Sequence, residues 1–183
     1  DLFFFGEVSA QTTFTWGTRA FMAGLGLSFF FAFLSFFREA EMLVGPSGIL
    51  PLEDFMQRLA RNGGDRDFVP GWTALFKHFQ NWPTLTWLSA ELAFLRSLAL
   101  AGMLAAGLLA FGVLPGVLSL SCWLLYLSVT VAGQRFFYFQ WDNLLLETGL
   151  LAACLLPFSR WRALPAHFNG VAKTFWGFLL FKV

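Results

Sequence analysis

Apolar runs of membrane length, each closed by a charge, a proline or a glycine turn, set the plan of this chain. Residues 20–37 carry no charge and are bounded by Arg19 and by Arg38-Glu39. A helix of about 20 apolar residues, with a lower limit near 17, crosses a bilayer. A second run covers residues 97–114, with Arg96 just before it, and Pro115-Gly116 leads at once into a third, residues 117–132. So short a connection predicts antiparallel neighbours. The fourth run covers residues 136–156 and is stopped by Pro157, and a further apolar stretch, residues 175–181, is too short to cross before Val183. The pattern predicts an all-α fold, a polytopic transmembrane helix bundle of about four full spans plus the start of a fifth.

On this plan residues 1–19 form an interfacial amino-terminal segment and 20–37 the first span. Residues 38–91 form an extramembrane loop, 92–157 hold the second to fourth spans, and 158–183 are a connector and the start of a fifth. No segment has the charged start, short apolar centre and cleavage site of a signal peptide, so the first helix is expected to serve as its own insertion signal. With Asp1 in first place and an apolar run cut at Val183, the chain reads as a fragment at both ends. Arg160, Arg162 and Lys173 cluster after the fourth run. Placed in the cytoplasm, they put the amino terminus there too and the long loop on the opposite side.

Within that loop Gly45-Pro46-Ser47-Gly48 is a turn cluster, and the run that follows is amphipathic. Leu52, Phe55, Met56 and Leu59 share one face of a helix. Glu53 and Asp54 fall in its first turn, where the helix dipole favours negative charge. Trp72, Leu75, Phe76 and Phe79 make a second short stripe. One reading is a lid of surface helices, with Leu52, Phe55, Met56 and Leu59 buried and Glu53 and Asp54 exposed. The other is a docking surface for a client polypeptide. In the spans, Gly24, Gly26, Gly102, Gly107 and Gly112 mark places for close helix approach.

Composition agrees with a bilayer environment. The chain is 57% hydrophobic and 13% charged, against roughly 45–50% and 25% in soluble domains. A net charge of +1 argues against electrostatic nucleic-acid binding, which needs a basic patch, and the composition makes the lipid bilayer the expected partner. Cys122 and Cys154 lie inside apolar runs and read as small buried hydrophobes, not as a disulfide or a metal site. His78 and His167 stand on different connectors and read as solvated. No zinc spacing, phosphate loop, nucleophile elbow or dinucleotide fingerprint occurs, so neither catalysis nor a cofactor is expected.

The informative polar residues are Gln140, Asp142, Asn143 and Glu147, at the start of the fourth run. A carboxylate at the centre of a membrane helix costs ~2.5–3.5 kcal/mol on insertion scales and is expected to look inward. Gln140, Asn143 and Glu147 share one helical face, with Asp142 on a neighbouring stripe. They are either glue between helices or a functional polar pocket. Because the second and fourth spans begin on the same side, Arg96 is the expected ion partner of Asp142, with Arg135 at the membrane boundary as a second. The predicted intramembrane polar cluster is therefore Arg96, Arg135, Gln140, Asp142, Asn143 and Glu147.

Two segments carry a resemblance: Leu43-Val-Gly-Pro-Ser-Gly-Ile-Leu-Pro51 after the first span, and Phe139-Gln-Trp-Asp-Asn-Leu-Leu-Leu-Glu-Thr-Gly149 after the two closely coupled spans. In this order they resemble the lipase maturation factor family, polytopic proteins of the endoplasmic reticulum membrane with many bacterial relatives. The resemblance implies a non-catalytic role in folding or assembling secreted homodimeric lipases, in the endoplasmic reticulum of a eukaryote or the inner membrane of a bacterium. It also implies further spans and a large non-cytoplasmic carboxy-terminal domain beyond this chain. Two other classes stay open: a structural accessory subunit packed on neighbouring membrane subunits, and an enzyme related to membrane carboxylases or acyltransferases, with Glu147 or Asp142 as acid or base.

Overall fold

The computed structural model describes residues 15–137 and 139–156, and every regular element among them is helical. The expected interfacial segment before residue 15, the connector, the start of a fifth span, the basic residues used for orientation and His167 lie outside the described residues. Among the described residues six α-helices follow one another: α1 (Thr15–Val44), α2 (Leu52–Asn62), α3 (Trp72–His78), α4 (Leu92–Ala110), α5 (Pro115–Ala132) and α6 (Gln140–Leu155). Short 3₁₀ turns at Leu85–Trp87 and Gln134–Phe137 precede α4 and α6.

Among the described residues, three helices are long and apolar enough to cross a membrane: α1 over Gly17–Val44, α4 and α5. The fourth apolar run differs from its prediction. Residues 134–137 turn as a 3₁₀ helix in which Gln134 takes a positive φ of 51°, so regular helix begins only at Gln140 and runs for 16 residues. At ~1.5 Å per residue, α6 spans ~24 Å.

The first run differs in the other direction. Its apolar stretch stops at Phe37, but the helix continues to Val44, because Arg38, Glu39 and Glu41 face outward while Ala40 and Val44 are buried. The extra turns carry α1 into the loop between α1 and α4, which folds as a compact cap. At its start, Ile49 and Leu50 donate backbone hydrogen bonds to the carbonyls of Met42 and Leu43 at 3.0 and 2.9 Å. A Cβ on Gly45 would stand 2.4 Å from the Glu41 carbonyl oxygen. The Gly-Pro-Ser-Gly turn therefore works only with a glycine at that position.

α4 packs antiparallel along α1. Gly26 lies against the backbone of Ala106 and Ala110, and Gly102 against the Phe33 ring, where an added Cβ would stand 2.7 and 2.5 Å from its neighbours. Of the other glycines read as contact points, Gly24 and Gly107 face open space, and Gly112 serves the α4–α5 turn with φ +74°. Pro115 then opens α5 at its first turn, where its missing N–H costs nothing. α5 packs on α4 and on α6. Phe29, Phe33, Tyr126 and Phe137 form the aromatic centre, with ring contacts of 5.5–6.3 Å between neighbours.

A candidate polar site on the α5–α6 seam

Two hydrogen bonds stitch α5 to α6. Ser119 Oγ donates to the Gly149 carbonyl at 2.9 Å, and the Tyr126 hydroxyl donates to Asp142 Oδ1 at 2.6 Å. Ser119 and Tyr126 stand two turns apart on α5, and Gly149 and Asp142 two turns apart on α6, so the pair of bonds sets an antiparallel register. Gly149 lies flush against the Phe29 ring, 2.7 Å from where a Cβ would stand. Close approach of this kind and hydrogen bonds across helices hold membrane bundles together, because lipid tails are as apolar as leucine.

The predicted polar cluster is brought together only in part. Asp142 is buried, 8% exposed, and faces α5. Gln140, Asn143 and Glu147 lie on the opposite, exposed side of α6 relative to the described helices. Arg135 is exposed in the turn before α6. Arg96 does not meet Asp142, because at that end α4 packs on α1 and not on α6. Its Nη2 donates to Glu41 Oε2 at 3.0 Å, and its guanidinium lies 5.9 Å from the Phe37 ring centroid. Sequence reasoning missed Tyr126 and Ser119. Both are polar side chains inside an otherwise apolar run, which is the signal that could have marked them.

Beside the Tyr126–Asp142 pair, a groove of about 520 Å³ opens between α1 and α6. Tyr126 and Asp142 line it together with Leu25, Ser28, Ala32, Trp141, Leu145 and Thr148. Cys122 is buried and Cys154 exposed, and both are free thiols, so the reading of Cys154 as a buried hydrophobe does not hold among the described residues.

In the cap, Leu52, Met56 and Leu59 are buried, Phe55 is half-buried, and Glu53 and Asp54 are exposed. The stripe read as a possible docking surface is thus occupied by the chain itself and holds the cap shut. His78 also departs from its expected solvated state. It is 4% exposed, stacks on Trp87 with ring centroids 4.5 Å apart, and donates from Nε2 to Asp65 Oδ2 at 2.7 Å. Lys77 bonds the other Asp65 oxygen. The hydrogen bond from Lys77, and then that from His78, hold the Asp65 carboxyl below the usual carboxylate range. The cap is fixed to the bundle by Leu85 N–H donating to Ser128 Oγ at 3.0 Å, and by Gln134 Nε2 donating to the Leu50 carbonyl at 3.2 Å.

The family model for the lipase maturation factor transmembrane domain matches residues 16–183. The chain belongs to the lipase maturation factor family. It is similar to lipase maturation factor 1 of Bos taurus, with 34% identity over 175 residues, which is 92% of this chain and 30% of the relative. To lipase maturation factor 2 of Homo sapiens the identity is 38% over 146 residues, 76% of this chain and 19% of the relative. Lipase maturation factor 2 of Xenopus laevis is 35% identical over 177 residues, 90% of this chain and 23% of that protein. The chain thus spans between a fifth and a third of the length of these relatives. No solved structure matches it. Its apolar helices and its family together make it an integral membrane protein.

Proposed function

We propose that this chain is the membrane-embedded part of a non-catalytic folding or assembly factor for secreted or membrane client proteins, with a lipase as the first client to test. The observation that carries the reading is the family match over residues 16–183, to relatives named for lipase maturation. In this reading α1, α4, α5 and α6 cross the bilayer, and the apolar stretch at residues 175–181 begins a fifth crossing. The amino terminus is cytoplasmic and the cap lies on the lumenal or periplasmic side, in the endoplasmic reticulum of a eukaryote or the inner membrane of a bacterium. Asp142 then locks the bundle, while Arg96 and Arg135 lie near its cap-side boundary. The client meets the outer face of the cap, where Trp72 and Phe76 are exposed and stacked on each other.

The exposed stripe of Gln140, Asn143 and Glu147 on α6 supports a second reading, that of an accessory subunit, because polar side chains on a helix face can hydrogen-bond across to a neighbouring membrane helix. The test is made in the whole protein, coexpressed with a client lipase. Protein abundance, copurifying chains and secreted lipase activity are measured side by side. Trp72→Ala with Phe76→Ala should lower lipase yield at unchanged abundance. Glu147→Gln should be tolerated where Glu147→Leu is not, since glutamine keeps hydrogen bonding and leucine strands its partners at a cost of roughly 1–3 kcal/mol each. A stoichiometric membrane complex with no client would favour the accessory subunit. Equal loss with glutamine and leucine, at normal abundance, would point to proton transfer by Glu147 and end the non-catalytic reading.

A further inference from the structure

We propose that the groove between α1 and α6 seats one bilayer lipid from the cap-side leaflet, held by a primary ammonium in its head group. This inference does not depend on the client reading above. It starts from what the Tyr126–Asp142 pair still offers. Tyr126 directs its only hydroxyl proton to Asp142 Oδ1, so the pair presents acceptors to the groove and no donor. A ligand must bring N–H or O–H groups of its own. Among the described residues no lysine or arginine lines the groove, and Arg96 bonds Glu41, so the cation that would complement Asp142 comes from outside the described residues.

Depth selects a lipid. Asp142 is in the first turn of α6, at the end that faces the cap, and it packs on Tyr126, which in turn meets Phe33 of α1. Phe33 lies four residues before Phe37, where the apolar run ends, so Asp142 sits ~6 Å below that boundary at ~1.5 Å per residue. A head-group amine at the interface reaches such a depth. Thr148 lies six residues further along α6, ~9 Å deeper, and the walls between are mainly apolar, with Leu25, Ala32 and Leu145 among them. At Gly24 nothing stands within 4 Å of an added Cβ, so the α1 wall is open there. The volume of about 520 Å³ is within the ~300–1,000 Å³ usual for small-molecule sites.

The test compares two lipids that differ only in methylation of the head-group nitrogen. Protein reconstituted in equimolar phosphatidylethanolamine and phosphatidylcholine is extracted, and the lipid retained per protein is read by native mass spectrometry. Ethanolamine lipid should be favoured by about tenfold, as expected for a charge-assisted hydrogen bond, because the trimethylated nitrogen has no proton to donate. Asp142→Asn, whose amide oxygen still accepts from the Tyr126 hydroxyl, should abolish most of that preference while lipid of both kinds is still retained. Ser28→Phe, which fills the groove and leaves the pair intact, should abolish lipid retention itself. A photo-crosslinking residue at Ala32 identifies the occupant, and a lipid adduct supports the proposal. Equal retention of the two lipids, an unchanged preference in Asp142→Asn, or a crosslink to residues 157–183 or to a second polypeptide would each overturn it.

Discussion

The bundle and the cap are built by one chain but hold together by different physics. In the bundle, α1 and α4 touch through glycine and alanine, and α5 and α6 through two hydrogen bonds and a glycine pressed on a phenylalanine ring. In the cap, Met56, Trp87, Leu52 and Leu59 form a water-excluding core, with Thr84, Thr86 and His78 paired inside it. Thr86 Oγ1 donates to Met56 Sδ at 3.3 Å, and the Trp87 indole N–H to the Trp82 carbonyl at 3.0 Å. Water drives the cap together by expelling apolar surface. Lipid supplies no such drive, so the bundle depends on close fit and on the few polar groups that have no other partner.

That contrast can be broken at four points. Trp87→Ala removes a fully buried side chain and should destabilise the cap by ~3–5 kcal/mol. Limited proteolysis from the cap side should then cut between α2 and α4 while α1, α4 and α5 stay protected. Simultaneous loss of protection throughout would show one cooperative unit instead of two regimes. Next, Gly26→Leu drives a side chain into the backbone of α4 and should cost ~1–3 kcal/mol or more, seen as a lower thermal midpoint in detergent. Gly24→Ala, two residues away with nothing within 4 Å, should stay within about ±0.5 kcal/mol. Equal effects from the two would refute the close-fit account of the α1–α4 contact.

Smaller effects sharpen the comparison. Tyr126→Phe deletes one interhelical hydrogen bond, and such bonds average ~0.6 kcal/mol with a maximum near 1.7. The thermal midpoint in detergent should resolve it, and a loss well above that range would mean that the pair does more than hold α5 to α6. The last effect is confined to the cap. The Asp65 carboxyl is held below its ordinary value of 3.8, so its contribution is fully present above that value. It is lost as pH falls further, through the lowered folded value. Cap-side proteolysis should therefore rise on acidification below about pH 4 and should lose much of that pH dependence in Asp65→Asn. A cap whose acid sensitivity is unchanged in Asp65→Asn would remove the Lys77–Asp65–His78 cluster from the account.

Much of the candidate site was legible from single residues, but its pairings were not. Asp142 announces itself as a carboxylate in an apolar run, and burial is the outcome that its cost in lipid dictates. Charge and depth match Arg96 to it. Charge says nothing of which helices are neighbours, however, and α4 leans on α1 at that end. The stripe of Gln140, Asn143 and Glu147 was a real helical face. Periodicity groups such residues without saying which way the face points.

What the sequence determined by itself follows from local rules. Runs without charge must become helices in lipid, since every backbone group has to be satisfied within the segment. The Gly45–Gly48 turn, Pro115 at the start of α5 and the amphipathic face of Leu52, Met56 and Leu59 are equally local, and each stands where its residues require. Tertiary structure decided the rest. It carried α1 seven residues past its apolar run, because Ala40 and Val44 are buried there by parts of the fold that no window of sequence displays. It buried His78 between Asp65 and Trp87, residues whose meeting depends on the path of the loop. It also set Tyr126 opposite Asp142, because the register of two packed helices is chosen by the fit of Gly149, Phe29 and their neighbours, which are far apart in the chain and adjacent only when it folds.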